Sequence, residues 1–141
     1  MKNNEAGVQK DKKEFHFELE SRKKAVCEFQ AVIYKLLPNS ISSDIFAMAL
    51  HEIIMNAAEH GNQLNPEKEI DIDLKITGEY IAAVVKDQGT GFNWRQKISQ
   101  NFDIGRDSER GRGIMMTDRG CDSFYYNQKG NKAYLLKKIN L

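Results

Sequence analysis

Three groups of residues have the types and spacing to do chemistry. Glu52, Asn56 and His60 are four residues apart in a stretch that reads as helix, so they form one stripe turning only about 40° per step. That stripe borders the apolar face, where polar groups would line a cleft; three solvated residues at a core margin would give the same pattern. Asp87-Gln88-Gly89-Thr90-Gly91-Phe92 directly follows an apolar strand pattern. An Asp there stands at a cleft mouth, and two glycines let the backbone approach a ligand or adopt positive φ. An ordinary strand-ending turn uses the same residue types. Gly111-Arg112-Gly113 precedes a short helical pattern, so its N–H groups could cradle phosphate, or the loop could simply feed a helix start.

Other chemistries fail on spacing. His51-Glu52 begins an HExxH zinc pattern, but Met55 occupies the second histidine position. Neither Gly89-Thr90-Gly91 nor Gly111-Arg112-Gly113 has the third glycine of a dinucleotide fingerprint, and no glycine is followed by the GK[ST] of a P-loop. No GxSxG elbow marks a nucleophilic serine.

The elements that must position these groups follow from periodicity. Residues 1–13 are polar and aperiodic and read as a tail, leaving 14–141 as a single domain. From Phe15, apolar Phe15, Phe17 and Leu19 alternate with His16, Glu18 and Glu20, a half-buried strand. Ser21 is expected to cap a helix over about 22–37, with Ala25, Val26, Phe29, Val32, Ile33, Leu36 and Leu37 at helical spacing and Pro38-Asn39 as its stop. Ser42 or Ser43 is expected to cap a second helix to about His60, with core positions Phe46, Ala49, Leu50, Ile53, Ile54 and Ala57. Gly61 suits the left-handed position after that helix. Met48 and Met55 are placed on its outer face, where methionines could adapt to a partner. EIDIDLKIT alternates strictly, and Tyr80–Lys86 reads as a more buried strand paired with it. Residues 87–113 lack periodicity, and so long a stretch inside a compact domain points to function. A short helix at 114–120 and two strands, Ser123–Asn127 and Lys132–Ile139, complete the chain, with a turn at Lys129-Gly130-Asn131. The fold class is α+β: a two-layer sandwich with helices on one face of a mostly antiparallel sheet.

Composition narrows the setting. The 141 residues carry a net charge of +1 with 29% charged and 40% hydrophobic residues, an ordinary balance for a folded soluble domain. It gives no electrostatic reason to expect nucleic acid or an anionic membrane as partner. Cys27 and Cys121 sit far apart among apolar residues, which reads as two reduced thiols and a cytoplasmic location. The N-terminal residues have no apolar run of the signal-peptide kind, and no segment approaches the roughly 18 apolar residues of a membrane span.

Taken in order, the motifs resemble a known superfamily. HEIIMNAAEHGN is similar to the N box of the GHKL ATPases, VKDQGTGF to their first glycine box and GRGIMM to their second. The short length, the His60-Gly61-Asn62 close of the N box and the ending YNQKGNKAYLLKKI resemble the anti-sigma-factor serine/threonine kinases of partner-switching systems. The resemblance runs from about Phe15 to Ile139 and implies the Bergerat ATP-binding fold.

It also implies roles. Asp87 would accept a hydrogen bond from the adenine amino group. Asn56 would offer its amide oxygen to Mg²⁺ bridging the ATP phosphates. His60 would lie at the same nucleotide site, and Gly89 and Gly91 would shape its base and ribose end. Gly111 and Gly113 would let lid N–H groups reach the phosphates, and Arg106, Arg110 and Arg112 would steady phosphate charge. Glu52 would act as general base on a serine of an anti-anti-sigma protein of the STAS type. A sigma factor as sequestered client and a homodimer are implied as well. Thr117 and Gly120 depart from the resemblance, standing where the family usually has apolar residues; Gly120 should weaken its helix by about 1 kcal/mol relative to Ala. A non-catalytic module in which ATP gates protein binding would need Asp87 and the glycines but not Glu52. The ATP-binding half of a histidine kinase would need a phospho-accepting histidine on a helix, and His16 falls on an expected strand.

Overall fold

The computed structural model describes residues 12–90 and 120–139. Gly91, Arg106, Arg110, Gly111, Arg112, Gly113 and Thr117 lie outside them, as does the expected 114–120 helix apart from Gly120. The elements run β1 (Lys13–Glu20), α1 (Lys23–Leu36), α2 (Ile41–Asn56), a π-helical turn (Ala57–Gly61), β2 (Glu69–Ile76), β3 (Tyr80–Lys86), β4 (Ser123–Tyr126) and β5 (Lys132–Lys138). The five strands form one antiparallel sheet in the order β1-β2-β3-β5-β4. This is the α+β arrangement expected from the pattern.

Strict alternation along the strands dictates which face is buried, because neighbouring side chains point to opposite sides. The register aligns Phe17, Ile72, Val85, Ala133 and Tyr126 in one row across all five strands, and Phe15, Leu74, Ala83, Leu135 and Phe124 in the next. Both rows face the helices. Val26, Phe29 and Ile33 of α1 and Phe46, Leu50, Ile53 and Ile54 of α2 complete the core. Phe29 meets Phe17 edge-on at 4.9 Å, tying α1 to the edge strand. Each fully buried Leu or Ile here contributes on the order of 2 kcal/mol.

Several expectations at the helices need correction. Ser21 does not cap α1: Arg22 holds that position without a side-chain bond, and the buried Ser21 hydroxyl donates instead to the Lys68 carbonyl at 2.7 Å. The cap of α2 is Ser40, whose Oγ accepts from the Ser43 N–H at 3.1 Å. Ser40 comes directly after Pro38-Asn39 and is already extended, so it has the backbone geometry a cap requires. Val32 and Cys27 are exposed, whereas Cys121 is buried; neither cysteine is in a disulfide. Met48 is exposed, but Met55 is 8% exposed and belongs to the core. Gly120 packs close to α2, where an added Cβ would lie 3.2 Å from Ile45 Cγ2.

Candidate functional site

The second helix does not run as α-helix to His60. It changes to a π-helical turn at Ala57, and the Asn62 N–H donates to the Ala57 carbonyl, five residues back, at 2.8 Å. A turn closed this way is wider than an α-turn. It alters the angular spacing on which the Glu52–Asn56–His60 stripe depends. Asn56 is 3% exposed at the end of the α-helical part, Glu52 is half-buried and His60 is exposed. Gln63 and Leu64 then carry the chain away with φ of 53° and 55°. Gly61 is not left-handed; the reversal is made by these two residues instead, at a cost of about 1–3 kcal/mol each.

The reason for glycine at 61 is close approach. An added Cβ would fall on the Asp87 carboxyl group. One at Gly89 would fall on the Gly61 carbonyl. The end of the helical region and the end of β3 therefore pack backbone against backbone, with the Asp87 side chain wedged between them.

Asp87 is 6% exposed. Its Oδ1 accepts the Gly89 N–H at 2.8 Å, and its own N–H donates to the Asn131 carbonyl at 3.0 Å. Burial pushes its carboxyl above the usual carboxylate range, opposed by the Gly89 N–H and by Lys129 and Lys68. A buried carboxylate at a pocket wall is a strong acceptor for an N–H donor brought by a ligand.

Asp87 and Asn56 line one pocket, together with Gly61 and the apolar Ile53, Val85 and Tyr126. Glu52 and His60 do not line it. The residues present fit an adenine nucleotide in two respects. By chemical type the apolar lining suits a flat base, although between the described residues the space is little larger than a water molecule, and the wedged carboxylate suits an exocyclic amine where guanine would present a carbonyl. Asn56 brings one hard oxygen, the sparse protein contribution that Mg²⁺ accepts when phosphates and water fill the rest of its shell.

Asn62, which the sequence offers only as the close of the N box, proves to be a structural junction. It is 1% exposed. Its Oδ1 accepts the Gln88 N–H at 2.7 Å, and its Nδ2 donates to Ser21 Oγ at 2.8 Å and to the Glu69 carbonyl at 3.1 Å. Gln88 answers across the gap, its Oε1 accepting the Glu69 N–H at 2.9 Å. The readable signal was an asparagine directly after a glycine, with a side chain able to accept and donate at once.

The sequence pattern of the histidine kinase-like ATPase domain family matches residues 15–137. No individual curated protein matches the chain. The match begins within β1 and ends within β5, and the chain belongs to this family of GHKL-type, ATP-binding domains.

Proposed function

Starting from a histidine kinase-like ATPase domain, we propose that this chain binds ATP with Mg²⁺, phosphorylates a serine of a STAS-type anti-anti-sigma partner and sequesters a sigma factor. The observation that carries the nucleotide reading is the shared pocket of Asp87 and Asn56, whose elements meet through Gly61 and Gly89. Support for a kinase comes from Glu52, one helical turn before Asn56 on α2. Support for a protein substrate comes from Met48, 54% exposed and one further turn back, since methionine surfaces adapt to partners. The STAS partner and the sigma client rest on the resemblance of the boxes and of the C-terminal strands, and cytoplasmic residence follows from that role. Among the described residues no helix is long and apolar enough to cross a membrane.

In this mechanism the Asp87 carboxylate orients the base by accepting from its amino group, and Asn56 would hold the metal through its amide oxygen. When bound, Mg²⁺ supplies charge neutralisation on the phosphates. Glu52 takes the proton of the partner's serine hydroxyl as that oxygen attacks the γ-phosphorus. The bond between the γ-phosphorus and the β–γ bridging oxygen breaks, ADP leaves with the electron pair, and phosphoserine remains on the partner.

Glu52→Ala should lower transfer by about 10²–10⁴-fold with ATP affinity retained. The measurement is labelling of a purified STAS-domain protein with γ-labelled ATP. Transfer at the wild-type rate overturns Glu52 as base. One observation favours a second reading: Glu52 does not line the Asp87–Asn56 pocket, as suits a module in which ATP gates partner binding without chemistry. ATP binding without labelling of any STAS partner decides for that module.

A further inference from the structure

The Asp87 carboxylate accepts one hydrogen bond from a described residue, and the backbone around it is fixed from two sides by asparagine side chains. On one side is Asn62, with its Oδ1 on the Gln88 N–H and its Nδ2 shared between Ser21 and Glu69. On the other is Asn127, at the end of β4. Its Oδ1 accepts three backbone N–H groups, from Gly130 at 2.8 Å, Asn131 at 3.0 Å and Lys132 at 3.2 Å. Its Nδ2 donates to the Asn131 side-chain oxygen at 2.8 Å. The Asn131 carbonyl, so oriented, receives the Asp87 N–H at 3.0 Å. Gly130 takes φ of 87° to let the turn close in this way.

We infer that Asn62 and Asn127 are positioning residues for base recognition: two braces, one on each side of Asp87, that hold its carboxylate at the angle that selects a purine bearing an exocyclic amino group. The inference rests on the nucleotide reading given above and goes beyond it by assigning selectivity to residues outside the pocket wall. Neither asparagine lines the pocket, so each acts through the backbone of residues 87 and 88. The physical argument is directional. A hydrogen bond weakens steeply once its angle opens, and a carboxylate free to rotate would lose contact with the amine while base stacking and phosphate contacts stayed the same.

The test is therefore a ratio of affinities. ATP and purine-riboside triphosphate differ only by the amino group, and equilibrium titration gives a Kd for each. Wild type should prefer ATP by about tenfold or more, the range of a hydrogen bond to a charged group. Asn62→Ala and Asn127→Ala should bring the ratio close to one, chiefly by weakening ATP. Asn127→Asp keeps the acceptor for the three N–H groups and should retain most of the preference. General loosening of the fold would weaken both nucleotides in parallel and leave the ratio alone. A folded Asn62→Ala or Asn127→Ala domain with the wild-type ratio overturns the brace concerned. Should Asn62→Ala fail to fold, Asn127→Ala decides by the same ratio. A wild-type domain that binds both nucleotides equally well overturns the Asp87 reading and this inference with it, whereas a wild-type preference kept in folded variants overturns the braces alone.

Discussion

A cluster of ionisable groups and a single carboxylate stand on opposite faces of the sheet, and they respond to their surroundings in opposite ways. On the outer face His16 Nδ1 lies 2.8 Å from Asp73 Oδ1, and His16 Nε2 lies 3.8 Å from both Glu18 and Asp71. On the helix-covered side Asp87 accepts one hydrogen bond from a described residue, the Gly89 N–H. By residue type the outer cluster is the richer. Its hydrogen bond to Asp73 and the nearby carboxylates hold the His16 pKa above its ordinary value, favouring the charged form. Burial raises the Asp87 pKa and disfavours the charged form. A charge satisfied in water has little left to offer a ligand, whereas a carboxylate held out of water gains when a donor arrives.

The sharpest way to break the comparison is to fill the gap that creates the buried site. In Gly61→Ala the new methyl group would occupy the position of the Asp87 carboxyl, so carboxylate or backbone must move. Overpacking of this kind costs about 1–3 kcal/mol. ATP binding, followed by calorimetry, should be lost altogether, the largest effect expected here. An equal methyl addition at Gly78, which has open space around it, should leave binding intact.

Asp87→Asn separates the site's stability cost from its binding role. With its folded pKa above the unfolded value, Asp87 binds more protons in the folded state. Stability falls as pH rises from the ordinary carboxylate range through the raised value. The amide can still accept the Gly89 N–H without the desolvated charge. Asp87→Asn should therefore melt higher than wild type at pH 7, and the gain should vanish in acid, where both side chains are neutral. ATP affinity should drop by about tenfold or more, because a neutral acceptor is roughly half as strong as a charged one. A lower Tm at pH 7 would show that burial does not dominate at Asp87.

How much of this was legible depends on the range of the forces involved. The β2–β3 hairpin could be read directly, because Ile70, Ile72, Leu74 and Ile76 alternate with charged residues and burial follows that alternation. The core of α2 was readable at Phe46, Leu50, Ile53 and Ile54. The fate of Met55 was not, since apolar residues surround much of this helix and only packing against α1, β3 and β5 settles which are covered. The site was legible as a set of residue types, Asp87 after a buried strand and Asn56 on a helix, with the three boxes giving their order. The π-helical turn was invisible, because α-helical spacing was assumed up to His60. The reason for Gly61 was invisible as well. Its partner, Asp87, is far along the chain, and a glycine that makes room looks the same in sequence as a glycine that turns. The roles of Ser21, Asn62 and Asn127 share that cause, since short polar residues at element ends normally signal caps and turns.

The remaining arm of the comparison predicts a small effect with a definite sign. His16 has its pKa raised, so its contribution to stability is fully present below the unfolded value, near pH 6.5, and disappears as pH rises through the folded value. The cluster is exposed, so salt should screen it. His16→Ala should leave Tm unchanged at pH 8.5, lower it slightly at pH 5.5, and lose even that difference in 0.5 M salt, with ATP affinity the same throughout. Thermal melts at the two pH values and two salt concentrations measure this. A large, salt-independent loss at pH 8.5 would mean that the outer face carries packing or a ligand beyond its ion pairs. The contrast between a solvated cluster and a desolvated site would then no longer explain why the proposed nucleotide site lies at Asp87.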